Sequence, residues 1–186
     1  MKKVKKIYII LSYTGTYFSN FLKFILKEKY VHVSIGIDNL DNIYSFGRKK
    51  PNRMFPCGFV KEDLKSISST FENSICQVYE LKIKQREYRL LLKAIDKFKR
   101  RRKYLHYNIK GLVHIKFNKV YHRENHYVCS QFVGKILQES KIYDFKKDYS
   151  LIKPNDVLSI KKLNLIYEGT ITNCLDKLKN SNIKFT

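Results

Sequence analysis

The sequence predicts an α+β domain in which an antiparallel sheet is packed by helices. Three observations predict this fold class. Apolar residues alternate as in strands near both ends of the chain, they recur at helical spacing in between, and hydrophobic residues make up 44% of the 186 positions. A chain of this length and composition can bury a sizeable core without disulfides or a structural metal. We therefore expect a single domain over residues 1–186.

The first half of the chain predicts three strands and a helix before a long loop. Ile7–Ser12 is an apolar strand, and YFSNFLKFILKEKY is a helix because its apolar residues recur three and four positions apart. The stretches YVHVSIGID and IYSFG are separated by the turn DNLDN, which predicts a β-hairpin. The segment KKPNRMFPCGF carries two of the three prolines and is predicted to be a loop.

The second half predicts one strand, two helices and a final strand region. ICQVYELKI alternates as a strand, and QREYRLLLKAIDKFKRRRKYL has a helical apolar stripe that the stretch YNIKG breaks. A second helix begins near Cys129. The stretch SLIKPNDVLSIKKLNLIYEG is predicted to be a loop followed by one or two strands.

The net charge of +22 has two explanations. It can be a footprint for nucleic acid or an anionic membrane, with Lys97–Lys103 as its densest stretch. It can also be compositional drift, since Lys, Ile, Asn and Tyr are all abundant and the basic residues are spread from end to end. We favour drift, with non-specific attraction to anionic membrane or nucleic acid as its consequence.

The sequence predicts a cytoplasmic protein, and its basic surface allows it to associate with membranes. No apolar run approaches the roughly 18 residues of a membrane span. The start MKKVKKIYIILSYTGT has a basic head, but its apolar run is short and no small-residue cleavage site follows. We interpret it as a buried first strand.

The four cysteines are far apart and form no C-x-x-C pair, so free thiols and no cofactor are expected. The spacing of His122, His126 and Cys129 could supply part of a metal site. It lacks a fourth ligand in sequence and any paired-cysteine signature, so we expect no bound metal.

His32 lies on an unusual strand face. With a period of two, Val31, Val33, Ile35 and Ile37 form an apolar core face, whereas the opposite face carries His32 followed by Ser34 and Gly36. Two small residues cannot cover a core. The face is therefore predicted to be cleared for a neighbouring element. A hydrogen-bonded structural histidine is the simpler alternative.

Cys129 is the residue predicted to meet that histidine. It lies on the same helical stripe as the apolar residues of HYVCSQFVGKIL, so it points at the sheet from the first turn of its helix. The partial positive charge and unpaired N–H groups there stabilise a thiolate. Ser34 and Gly36 would let this helix approach the sheet closely, with His32 reaching the sulfur. A buried, unreactive cysteine is the alternative.

The ordered motifs YVHVSIGID, IYSFGRK, GFVKED and YVCSQFVGKIL resemble the circularly permuted papain-like hydrolases of the YaeF/YiiX type. These belong to the NlpC-like superfamily, which includes the lecithin:retinol acyltransferase group. The resemblance runs from about Ile7 to Asp156. It implies a permuted papain-like domain whose antiparallel sheet is packed by the helix carrying the nucleophile.

The resemblance also implies residue roles. Cys129 would be the nucleophile and His32 the general base. A third residue that orients the imidazole is expected on the strand after the histidine hairpin. Ser45 matches that position, Tyr44 matches it if the loop differs by one residue, and Glu62 of GFVKED is an alternative from the next loop.

These expectations define a thiol hydrolase or acyltransferase that attacks an amide, ester or thioester through a Cys–His pair and an acyl-enzyme. The implied substrate is a peptide or an acyl lipid. The alternative is a catalytically inactive basic module that binds anionic membrane or nucleic acid, and a third is an inert structural domain. The sequence does not distinguish hydrolysis from acyl transfer, and it leaves the oligomeric state open.

Overall fold

A computed structural model describes residues 4–50, 53 and 56–180. Its centre is a six-stranded, wholly antiparallel sheet with the strand order β4-β3-β2-β1-β5-β8. Two further strands, β6 and β7, form a short parallel pair. The strands are β1 (Val4–Tyr13), β2 (His32–Ile37), β3 (Ile43–Arg48), β4 (Cys57–Glu62), β5 (Ile75–Lys84), β6 (His106–Tyr107), β7 (His126–Tyr127) and β8 (Leu163–Thr170).

Helices cover both faces of the sheet, which confirms the α+β prediction. The α-helices are α1 (Tyr17–Leu26), α2 (Leu64–Thr70), α3 (Gln85–Arg100), α4 (Ile109–Lys116), α5 (Cys129–Glu139) and α6 (Ile171–Asn180). None of the helices in the described ranges combines the length and apolarity needed to cross a bilayer.

The main core lies between the sheet and the helices α3 and α5. Four phenylalanines from two strands and two helices pack their rings together there, and the closest pair, Phe98 and Phe132, has centroids 4.9 Å apart. A second apolar cluster on the opposite face joins β1 and β5 to α2 and α6, with Tyr8, Val78 and Cys174 among its members. Two separate apolar layers therefore hold the sheet in place.

The side chains of strand β2 alternate between the two faces of the sheet. The predicted core residues Val31, Val33, Ile35 and Ile37 are all buried, as expected. Helix α5 packs against this apolar face, because Val33 and Ile35 share one cluster with residues of the α5 stripe. An apolar stripe removes most surface from water when it packs on an apolar face.

The prediction that Ser34 and Gly36 lie under the cysteine helix is therefore wrong. A side chain added at Gly36 would meet Tyr8 and Leu40, on the opposite side of the sheet from α5. The polar face of β2 is cleared for a different neighbour.

Several elements were not predicted. Residues 51–52 and 54–55 of the loop expected after β3 lie outside the described part of the chain. Its end is strand β4, which pairs with β3 from Cys57 to Glu62. Phe59 and Val60 are both buried, so β4 lacks the clean alternation that marks a half-exposed strand. Helices α2, α4 and α6 were also missed.

Candidate active site

His32 begins strand β2 and forms a close ion pair with a carboxylate from β4. Its Nε2 atom lies 2.6 Å from Oε1 of Glu62, the last residue of that strand. Both side chains are largely shielded, with exposed fractions of 23% and 10%. A charged pair at this distance forms a strong, charge-assisted hydrogen bond.

The small residues around His32 make room for this carboxylate. Ser34, two residues along the same strand face, donates its hydroxyl proton to Oε2 of Glu62, so both carboxylate oxygens are engaged. Gly47 on β3 lies beside the pair, since a Cβ atom there would stand 3.5 Å from Cε1 of His32 and 3.7 Å from Oε1 of Glu62. The polar face of β2 therefore accommodates Glu62.

Cys129 approaches from the other side of the strand. It is the first residue of α5, and its Sγ lies 4.0 Å from the carbonyl oxygen of Val31, the residue before His32. Cys129 contributes to the raised pKa of His32, which places the sulfur near the imidazole. Because Glu62 engages Nε2, Nδ1 is the ring nitrogen that remains for the sulfur. The structure thus brings Cys129, His32 and Glu62 together at one end of β2.

The electrostatics of the cluster favour a charged imidazole. Burial on its own would lower the pKa of His32, but the negative charges of Glu62 and Cys129 and hydrogen bonds to both outweigh it and raise the pKa well above 6.5. Burial would raise the pKa of Glu62, yet the charge of His32 and hydrogen bonds from His32 and Ser34 lower it below 4.5. Both partners are therefore ionised at neutral pH.

Ser45, the expected third residue, does not contact the imidazole. Its buried hydroxyl donates to the carbonyl oxygen of Val33 at 2.7 Å. Tyr44, the second alternative, is buried on the core face, where its ring stacks on Phe59. The contact expected of Ser45 is made by Glu62. A carboxylate stabilises the imidazolium by charge, whereas a serine hydroxyl offers only a hydrogen bond.

A cleft of about 300 Å³ lies against this cluster. His32, Gly47 and Glu62 form part of its wall, and residues of β1, α1, β4 and α2 complete it. Arg48 also lines the cleft, with its guanidinium carbon 4.7 Å from the ring centroid of Phe71. The cleft therefore has a mixed apolar and polar lining that includes three basic residues, Arg48, Lys49 and Lys61, and the His32–Glu62 ion pair.

Cys129 itself is only 3% exposed and lies behind the cleft wall. Tyr107 of β6 is the neighbour that connects it to the cleft. Tyr107 lines the cleft and contacts Phe18 of α1 edge to face, with centroids 6.0 Å apart. Burial first and the charge of Cys129 second raise the pKa of Tyr107 well above its usual value of 10.0. Its phenol therefore stays protonated beside the sulfur.

A buried polar network fixes the start of α5. Oε1 of Gln131 accepts a hydrogen bond from the N–H of Val128 at 3.0 Å, and its Nε2 donates to the carbonyl of Ser150 at 3.1 Å. Asn108, 1% exposed, donates to the same Oε1 at 3.3 Å and caps α4 by accepting from Gly111. The network ties the turn that carries Cys129 to the loops around it.

The remaining histidines and cysteines lie elsewhere. His122 bonds Asp148 at 2.8 Å, and His126 bonds the carbonyl of Glu124 at 2.7 Å, so neither reaches Cys129 as part of a metal site. Within the described ranges, His, Cys, Asp and Glu residues form no group of three or more that could hold a metal ion. None of the four cysteines forms a disulfide.

Comparison with known proteins identified no relative of this chain. No family model, no curated protein and no solved structure matches the chain. The site is therefore interpreted from its own geometry.

Glu62 is the member of the cluster that sequence reasoning ranked too low. Its strand was interpreted as a loop, and its position beside His32 depends on the register of β4 on β3, in which Ile43 pairs with Glu62 and Gly47 with Gly58. The usable signal was Ser34, a small polar residue on the histidine face that fits a buried carboxylate. A single sequence does not show which carboxylate it holds.

Proposed function

We propose that the protein is a thiol hydrolase or acyltransferase of permuted papain-like type, with Cys129 as nucleophile, His32 as acid–base and Glu62 as the residue that orients His32. The observation that carries the proposal is an imidazole bonded to a carboxylate, with a sulfur at a helix N-terminus lying against the residue before that histidine. The ordered sequence motifs support the same assignment, with Glu62 in place of Ser45.

The first role of His32 in the proposed mechanism follows from its raised pKa. A protonated imidazole beside Cys129 stabilises the thiolate as an ion pair, and the thiolate is the nucleophilic form of cysteine. Glu62 keeps the imidazole charged and holds it through Nε2, which leaves Nδ1 as the ring nitrogen available to the sulfur.

The reaction then follows in two halves. The thiolate attacks the carbonyl carbon of an amide, ester or thioester, a C–S bond forms, and the carbonyl electron pair moves onto oxygen. The C–N, C–O or C–S bond to the leaving group breaks as His32 gives that group its proton. In the second half, the neutral imidazole takes a proton from water or an alcohol or amine acceptor. The acceptor then attacks the acyl-enzyme, which restores the thiolate and the imidazolium.

The first turn of α5 supplies the electrostatic part of the mechanism. N–H groups in the first turn of a helix have no carbonyl four residues earlier to bond. The N–H of Cys129 could therefore donate to the oxygen of a tetrahedral intermediate formed on its own sulfur. The Gln131 network holds this turn in one position.

The alternative, a basic module without catalysis, is favoured by one observation, which is that Cys129 is only 3% exposed. Substrate access to the sulfur requires a shift of the side chains that separate it from the cleft, and Tyr107 is a cleft residue close enough to feel the charge of Cys129. The two functions therefore differ in one measurable property, the reactivity of the Cys129 thiol in the folded protein.

Labelling with an alkyne-bearing electrophile, followed by peptide mapping, tests the proposal. We expect Cys129 to be modified at neutral pH in the wild type, and labelling to disappear in Cys129→Ala but persist in Cys57→Ala. Cys57 is the matched control because it is a half-buried thiol on β4, outside the cluster. Hydrolysis of acyl esters and thioesters should follow the labelling. If Cys129 of the folded wild type reacts no faster than the other thiols, the hydrolase proposal is wrong and the alternative, a basic module without catalysis, is supported.

A further inference from the structure

The large exposed apolar side chains of the protein concentrate on one surface. Of the twelve in the described part of the chain, seven belong to α1, α4 or the turn after α4. These seven, which we call the α1–α4 patch, are Tyr17, Phe21, Phe24, Ile109, Val113, Phe117 and Val120. Single exposed apolar residues need no explanation, whereas a cluster of them marks an interaction surface.

Each helix of the patch has two apolar stripes. On α1, Leu22 and Leu26 are buried, whereas Phe21 and Phe24 are 53% and 74% exposed. The inner stripe explains how α1 packs on the protein, whereas packing does not account for Phe21 and Phe24, which are more than half exposed. Helix α4 repeats this arrangement, with Leu112 and Ile115 buried and Ile109 and Val113 exposed.

The two outer stripes belong to one surface. Helices α1 and α4 pack against each other, and both inner stripes share one buried cluster with Val31. The ammonium group of Lys116 on α4 lies 5.5 Å from the ring centroid of Phe24 on α1, which joins the outer stripes directly.

The two sequence segments that carry the patch are basic. Residues 13–27 and 109–123 contain no Asp or Glu. They contain six basic residues, all exposed, namely Lys23, Lys27, Lys110, Lys116, Lys119 and Arg123. Aromatic residues surrounded by lysines are the composition of helices that lie in the interface of an anionic bilayer.

We propose that the α1–α4 patch docks the protein on the surface of a bilayer that contains anionic lipids. The phenylalanines enter the boundary between headgroups and acyl chains, and the six basic residues contact the lipid phosphates. The helices span ten and eight residues and lie flat on the membrane.

The site and the patch share a helix. Phe18, Ser19 and Leu22 of α1 line the cleft that leads to His32, while Phe21 and Phe24 of the same helix face outward. A docked protein therefore holds its cleft next to the lipid surface. The docking itself does not depend on catalysis, so it can be measured in the Cys129→Ala protein, which forms no acyl-enzyme.

The absence of tryptophan makes a direct test available. Phe24→Trp and the control Leu92→Trp each place the only tryptophan of the chain, the first in the patch and the second on an exposed position of α3. The probes are vesicles of equal parts phosphatidylglycerol and brominated phosphatidylcholine, and vesicles of brominated phosphatidylcholine alone. Bromine on the acyl chains quenches a tryptophan that enters the bilayer.

We expect quenching of Trp at position 24 with the anionic vesicles, little quenching at position 92, and little at either position without anionic lipid. Equal quenching at both positions would assign the binding to the dispersed positive charge and overturn the proposal. Absence of quenching at position 24, despite vesicle binding, would overturn it as well.

A triple substitution gives an independent readout. Phe21→Ser, Phe24→Ser and Phe117→Ser together should lower the vesicle partition coefficient by more than about tenfold, because each inserted phenylalanine buries a large apolar area. The control triple Leu92→Ser, Leu158→Ser and Leu165→Ser removes three exposed apolar residues elsewhere and should leave partition unchanged. Equal loss in both triples contradicts the proposal. So does a wild-type dimer that the first triple makes monomeric without any effect on vesicles, since the patch would then bind a second copy.

Discussion

Three of the four cysteines are buried to almost the same extent, but their surroundings differ. Cys129 is 3% exposed and meets an imidazole that a carboxylate keeps charged. Cys76 on β5 and Cys174 on α6 are both 0% exposed, and each has the other as its polar neighbour within an apolar cluster. Under the proposed mechanism, neighbouring charge and not exposure would distinguish a reactive thiol from an unreactive one in this protein.

The acid–base behaviour of the two regions follows from these neighbours. The hydrogen bond to Cys174, together with burial, raises the pKa of Cys76 far above 9.0, so this thiol stays protonated. Around Cys129 the raised pKa of His32 supplies a positive charge at neutral pH. The same hydrogen bond lowers the pKa of Cys174, so Cys76 is the buried thiol that serves as an internal reference for the site.

The largest expected effect comes from removing the nucleophile. Cys129→Ala should lower acyl-ester turnover by about 10⁴-fold or more, as expected when a group that forms a covalent intermediate is lost. Cys174→Ala, at the partner of Cys76, should leave turnover within about threefold, since no contact joins it to the cluster. Steady-state kinetics on both variants tests the comparison. Similar losses in the two would show that they act through folding.

The next effect separates Glu62 from a purely structural role. Glu62→Gln keeps the size of the side chain but removes its charge, so His32 loses the main contribution that raises its pKa. We expect turnover to fall by between about 10² and 10⁴-fold and the alkaline limb of its pH profile to move to lower pH. A fall in turnover with an unshifted profile would show that Glu62 does not control the imidazole.

The same pair predicts how stability depends on pH. The contribution of His32, whose pKa is raised, is complete below about 6.5 and is lost as pH rises through the raised value. The contribution of Glu62, whose pKa is lowered, is complete above about 4.5 and is lost as pH falls through the lowered value. Wild type should therefore exceed Glu62→Gln in free energy of unfolding most clearly between pH 4.5 and 6.5.

Urea unfolding of both proteins at several pH values measures this difference. An effect of about 1–3 kcal/mol is expected, since one partner of a largely buried pair is replaced by a neutral group. A difference that stays constant across the whole range would mean that the His32–Glu62 pair is not ionised in the folded state.

Two residues of the candidate site, Cys129 and His32, were predicted from patterns within their own helix and strand. Cys129 follows from its place at the first turn of an apolar stripe, and His32 from the alternation of β2. The third member depends on pairing between distant strands. Ser45 and Ser34 both belong to strands that pass the site, and only the register of β2, β3 and β4 decides that Ser34 binds the carboxylate while Ser45 binds a backbone carbonyl.

The placement of α5 was mispredicted for a similar reason. The small residues of β2 were interpreted as space for a helix, although a helix with an apolar stripe gains more by packing on Val33 and Ile35. The periodicity of β2 correctly separated its two faces. It did not say which neighbour covers each face, because that depends on the rest of the sheet.

The smallest expected effect comes from a comparison of Ser34 and Ser45, whose hydroxyl groups have different partners because of the strand register. Ser34→Ala removes the hydroxyl that donates to Oε2 of Glu62, so the carboxylate loses one of its two partners and holds His32 less firmly. Ser45→Ala removes a hydroxyl that donates to Val33, and nothing in the cluster loses a contact. We expect turnover to fall by about tenfold in the first variant and to stay within about twofold in the second.

Stability should not separate the two serine variants in the same way. Each loses one largely buried hydrogen bond, which contributes about 0.5–1.5 kcal/mol. Turnover and urea unfolding measured on both variants therefore distinguish a role in the site from a role in the fold. If Ser45→Ala lost more turnover than Ser34→Ala at equal stability, the third residue first expected from the sequence would replace Glu62 in the proposed mechanism.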